Sequence, residues 1–132
     1  MEKTSVKAAV VAAMLAFAPA VPALAGSDDY RFELVTPEAK VGAGATVEVR
    51  LIDRRTGKAV PDAVIMAKRM DMAPDGMAGM DSAIETALAP TPGHYRFMTN
   101  LTMAGRWQLS LGAKVQGEAG TVVGRLVVKA VK

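Results

Sequence analysis

The chain has 132 residues, a formal net charge of +3 and no cysteine. That is one domain's length, and the missing thiols exclude disulfides, thiolate metal sites and a lipid-modified cysteine near the amino terminus. The charge is small and scattered, so the pI near 9.4 does not mark a nucleic-acid-binding protein, which needs a basic stripe.

The first 25 residues read as a secretory signal. Lys3 and Lys7 open it, Ala8 to Ala18 is an uncharged apolar run, and Ala23-Leu24-Ala25 supplies the small-x-small cleavage pattern. The apolar stretch to Ala25, about 18 residues, is at the lower limit for a membrane span. Pro19 and Pro22 break it, and polar Gly26-Ser27-Asp28-Asp29 follows. The reading is therefore cleavage after Ala25, with retention as an anchor as the alternative. The mature chain, Gly26 to Lys132, is expected to be a single soluble periplasmic domain, since no later apolar run approaches membrane length.

Short strands punctuated by Gly, Pro and Asp follow. Tyr30, Phe32 and Leu34 alternate with Arg31 and Glu33, the period of a half-buried strand. Val47, Val49 and Leu51 repeat the pattern before a polar turn at Asp53 to Gly57. A third strand runs from Ala63 to about Met72. The next segment, Ala73 to Met80, reads as a loop because Pro74, Gly76 and Gly79 interrupt it. A weaker strand covers Ala83 to Leu88. His94 to Thr99 puts Tyr95 and Phe97 on one face, and Trp107, Leu109 and Leu111 alternate with Gln108 and Ser110. Thr121 to Val131 closes the domain. About seven strands at this spacing predict an all-β, immunoglobulin-like antiparallel β-sandwich. Its expected core is Tyr30, Phe32, Leu34, Val47, Val49, Leu51, Tyr95, Phe97, Trp107, Leu109, Leu111, Leu126 and Val128.

The unusual feature is the methionine content. Met66, Met70, Met72, Met77 and Met80 crowd one stretch, and Met98 and Met103 follow. A thioether is a soft, neutral donor that suits Cu(I) and binds hard cations poorly. Residues two apart on a strand face the same way, so Met70 and Met72 are expected to present both sulfurs on one side, with Met77 and Met80 folding back from the loop. His94 and Met98 share a face opposite Tyr95 and Phe97 and are further candidate ligands. Two other readings stand beside this one. Methionine is a flexible core filler, which suits Met66 and Met103, and an exposed methionine loop can dock a protein partner. Asp71, Asp75 and Asp81 do not fit a calcium loop and are expected to keep the segment solvated. With one histidine and no G-x-S-x-G elbow or phosphate loop, no catalytic constellation emerges, so an enzyme is not expected.

Val41-Gly42, the run Gly57-Lys58-Ala59-Val60-Pro61-Asp62-Ala63, Pro92-Gly93-His94-Tyr95 and Met103-Ala104-Gly105-Arg106-Trp107 together resemble the YtkA-like, FixH-related family of small exported β-sandwich domains, over most of residues 30 to 131. The resemblance implies an immunoglobulin-like sandwich and a role in copper handling, heavy-metal efflux or oxidase assembly. Family members often carry Met-Pro-x-Met after the third strand, which is expanded here to the run from Met70 to Met80. FixH relatives carry a membrane helix, where this chain has a cleavable signal. The expectation is a periplasmic Cu(I)-binding metallochaperone or buffer, with Met70, Met72, Met77 and Met80 as ligands and Met98 and His94 as candidates. Its partners would be the copper ion and a copper-exporting or oxidase protein. The alternative is a non-metal module docking on a membrane efflux or oxidase complex.

Overall fold

The computed structural model describes residues 27–132, so the signal segment and its cleavage point lie outside the described residues. A 3-10 turn at Ser27–Asp29 leads into β1 (Tyr30–Leu34), β2 (Glu38–Lys40), β3 (Gly42–Asp53), β4 (Val64–Met72), β5 (Met77–Ser82), β6 (Ile84–Ala87), β7 (His94–Leu101), β8 (Gly105–Lys114) and β9 (Thr121–Val131). The strands with alternating apolar residues form where period two places them. Tyr30 and Phe32 are buried while Arg31 between them is exposed, and Trp107, Leu109 and Leu111 are buried along β8.

Two sheets result, in the orders β1-β3-β7-β6 and β2-β9-β8-β4-β5. All neighbours are antiparallel except β2 and β9, which run parallel through Glu38↔Lys129 to Lys40↔Val131. This is the immunoglobulin-like arrangement: β1, β3, β7 and β6 on one side, and β2, β9, β8, β4 and β5 on the other. Two elements depart from the sequence expectation. The short polar β2 carries no apolar alternation. Only the start of the segment from Ala73 to Met80 is a turn, because Met77–Ser82 pairs with β4 as an edge strand.

Between the sheets lie Trp107, Phe97, Leu51, Val47, Val49, Leu101, Leu109 and Val128, joined by Met70 and Met72. Of the expected core, Leu34, Tyr95 and Leu126 are only partly buried. Tyr95 sits at the margin because its hydroxyl donates to Val60 O (2.6 Å) and accepts from Ala63 N (3.0 Å), tying down the connection into β4. Burial pushes its phenol pKa up. Gly124 on β9 faces Phe32 of β1 so closely that a Cβ there would lie 2.7 Å from the ring. At the crossover into β8, Trp107 Nε1 donates to Met103 O (3.1 Å). An indole thus braces the corner that a tyrosine hydroxyl braces in many domains of this architecture.

Candidate soft-metal site

β4 ends in Met70-Asp71-Met72, and the chain then makes one 3-10 turn, Ala73–Asp75, that Gly76 closes in the left-handed conformation (φ 77°). Gly76 N donates to Ala73 O (2.8 Å). β5 returns with Met77 directly opposite Met72, while Asp81 and Ser82 face Asp71 and Met70. Ala78, Gly79 and Met80 have no partner in that ladder and bulge outward. Directly opposed residues of antiparallel strands hold their Cβ atoms about 4.5–5.5 Å apart, so Met72 and Met77 are neighbours across this ladder.

Hydrogen bonds hold this connection in place. Asp71, although buried, accepts from Arg69 Nε through Oδ2 (2.7 Å) and from Ala73 N through Oδ1 (2.9 Å). Arg69 also donates to Asp81 (3.2 Å) and to Ala78 O (3.0 Å), fastening the bulge. Asp75 accepts from both the backbone N and the Nε of Arg106, each at 2.8 Å, and Arg106 Nη2 donates to Pro74 O (2.7 Å). Those bonds from Arg106 hold the Asp75 carboxyl below the usual carboxylate range. The three aspartates are therefore braces, not merely solvating groups. Sequence alone assigned Asp75 only a solvating role and Gly105 and Arg106 no role at this turn, although Gly105-Arg106 lies inside a motif that carried the family resemblance. The signal was there; its contact with the Pro74-Asp75 turn was not.

The six candidate ligands do not converge. Met70 and Met72 do share a face, as their spacing requires, but that face is the core and both are 0% exposed. The side they were expected to present to Met77 and Met80 is thus packed inward. The reason is packing: β4 is covered on its inner side by the opposite sheet. Met77 is half-buried against the same core, and Met80 is 39% exposed on the bulge. Met98 is exposed on the outer face of the other sheet, in a cleft of about 150 Å³ formed with Gly44, Ala83, Glu85, Thr99 and Asn100. His94 lies on that same face, its Nδ1 2.6 Å from Glu48 Oε2. The His94 ring and the Arg96 guanidinium hold the Glu48 carboxyl below its ordinary range. Four residues along a strand separate His94 from Met98 by about 13 Å, too far to share an ion, and both belong to the sheet opposite Met72 and Met77. What the fold brings together is Met72 with Met77, and Met80 on the adjoining bulge. Among the described residues no group of three or more His, Asp or Glu side chains could hold a harder metal, and no helix is long and apolar enough to cross a membrane.

The two sheets, the crossover braced by Trp107 and the methionine-bearing connection between β4 and β5 define an immunoglobulin-like β-sandwich domain with soft donors at one end. The chain belongs to the YtkA-like family, whose family model matches residues 24–112. Among solved structures, the one titled "ZirS C-terminal Domain" is similar at 14% identity and a TM-score of 0.44, over 80% of this chain and 67% of that chain. A comparison with curated proteins finds no match.

Proposed function

We propose that this protein is an exported, periplasmic Cu(I)-binding protein, a metallochaperone or buffer that carries the ion as cargo and catalyses no reaction. Met72 and Met77 are its principal donors and Met80 the third. The observation that supports this most is the register that sets Met72 opposite Met77. Two neutral thioethers at the edge of an apolar core favour a soft monovalent ion over a hydrated divalent one. Copper handling is also what the family resemblance implies. Met70 is left to packing, and His94 and Met98 stand apart from the site.

The test is a Cu(I) competition titration against a chromophoric chelator. Wild type is expected to take up about one ion, Met77→Leu/Met80→Leu to lose it, and Met98→Leu to keep it. Failure of the wild type to compete rejects the reading.

A second reading is favoured by a separate observation. Met66, Met80, Met98 and Met103 are all exposed yet spread over β4, β5, β7 and the connection before β8, as befits contact surface more than a ligand set. In that reading the domain docks on a membrane efflux or oxidase complex without metal. Thermal denaturation separates the two. Cu(I) at one hundred times its dissociation constant stabilises the folded state by about 2.7 kcal/mol if it binds that state alone, and leaves the midpoint unmoved if the methionines only dock a partner.

A further inference from the structure

We propose that Asp75 and Arg106 are positioning residues that hold the Ala73–Gly76 turn shut over Met72, so that a soft ion reaches the Met72–Met77 pair only when this clamp lets go. The inference rests on the Cu(I) reading above.

Met72 is fully buried, and what covers its end is the turn and the start of β8. A Cβ built on Gly105 would lie 2.6 Å from Met72 Cε and 2.7 Å from Asp75 Oδ2. The thioether methyl, the carboxylate and the bare Gly105 backbone therefore meet at one point, and glycine is the residue that lets the turn close there. Every polar bond from β8 to the turn comes from Arg106: its N and Nε to Asp75, and its Nη2 to Pro74 O. At the other end the turn is tied by Asp71 to β4 itself, which cannot move without opening the core.

The clamp is the weaker of the two attachments. The Arg106 side chain is 60% exposed and that of Asp75 25%, so parting them returns both charges to water and buries neither unpaired. Parting them costs the few charge-assisted hydrogen bonds that Arg106 makes to the turn, whereas lifting β4 would expose Met70 and Met72 together. Local opening follows the less costly route. The turn is thus the door to Met72, with Asp75 and Arg106 as its catch.

The experiment is stopped-flow uptake of Ag(I), a redox-inert soft ion, followed beside equilibrium binding. Asp75→Ala is compared with wild type, with Arg106→Ala, and with Asp53→Ala. Asp53 makes a similar set of bonds to Arg55 N and its guanidinium, at the end of β3 and away from the methionines. Uptake by Asp75→Ala is expected to be roughly tenfold faster than wild type, the effect of losing charge-assisted hydrogen bonds. Arg106→Ala, which keeps its backbone bond to Asp75, falls between, and Asp53→Ala is unchanged. Wild-type rates in Asp75→Ala, or in Arg106→Ala should the former not fold, overturn the inference. So does equal acceleration in Asp53→Ala, which would mean general loosening. If wild type binds no Ag(I) at equilibrium, the Cu(I) reading itself fails; if it binds but the rates match, only the clamp fails.

Discussion

Met70 and Met98 carry the same thioether into opposite surroundings, one sealed between the sheets and the other 45% exposed on an outer face. Truncation should separate them sharply. Met70→Ala leaves a cavity in a close-packed core and should destabilise the domain by about 2–5 kcal/mol, whereas Met98→Ala should stay within about 0.5 kcal/mol, both read from urea midpoints. Equal effects would mean that Met70 is not the packing residue described above. Gly105 makes a second residue-level case. Its φ of +145° disfavours side chains, and the space its Cβ would enter is taken by Met72 and Asp75. Gly105→Ala is expected to cost about 3 kcal/mol, at the upper end of overpacking effects. Gly79→Ala, with nothing within 4 Å and no positive φ, should be close to neutral on the same urea titration. A small Gly105 effect would show that the turn yields easily around a side chain.

At the scale of the element, β4 presents a sheet edge that needs guarding. β5 pairs only with Met70, Asp71 and Met72, which leaves the stretch from Val64 to Arg69 open on one side. Two features blunt it. The ladder to β8 is interrupted between Ile65 and Ala67, and Lys68, in register with buried Leu111, has the inward parity of Met70 while remaining exposed. A bulge and an inward-pointing charge are recognised guards against edge-to-edge pairing. Lys68→Ile should therefore self-associate at concentrations where wild type does not, as size-exclusion chromatography with light scattering would show; identical elution would remove Lys68 from that role. The same strands show how far sequence pattern reaches. β1 was legible because apolar and polar side chains alternate along it, and β9 because a β-branched run follows the Gly117 to Gly120 turn. β5 was not, because Met-Ala-Gly-Met-Asp-Ser has little strand propensity and owes its conformation to pairing with β4. β2 was hidden for a similar reason, being three residues held by β9. The parity of Met70 with Met72, and of His94 with Met98, was readable. Which parity met the core was readable for β7, where Tyr95 and Phe97 mark it, but not for β4. There Asp71 between the methionines is itself buried, and methionine serves equally as core filler and soft ligand. The Asp75–Arg106 clamp joins residues far apart in sequence, and no local pattern announces such a contact.

The whole molecule has two unlike outer faces. The five-stranded sheet exposes a shallow apolar trough around Ala67, Gly112 and Val123. The four-stranded sheet carries paired side chains: Glu33 with Arg31 and Arg50, and Glu48 with Arg96 and, through a hydrogen bond, His94. Both glutamates hold their protons less tightly in the folded protein than in a free chain, Glu33 chiefly through its hydrogen bonds to Arg50 and Arg31, and Glu48 through His94 and Arg96. The sign of the consequence is fixed. When pH falls toward the ordinary glutamate range the unfolded chain takes up protons first, which favours unfolding. The stabilisation is therefore fully present above that range and disappears as pH drops through the depressed folded values. Each pair is partly solvent-exposed, so the contribution is modest and salt-sensitive. Glu33→Gln isolates one such carboxylate without the histidine. Its melting temperature should lie below that of wild type at pH 7 and low salt, and the gap should shrink as pH falls below about 4. Added salt at pH 7 should also narrow it. A gap that persists unchanged into acid would assign the loss to packing of the Glu33 stem, and the charged face would then contribute nothing measurable to holding the sandwich together.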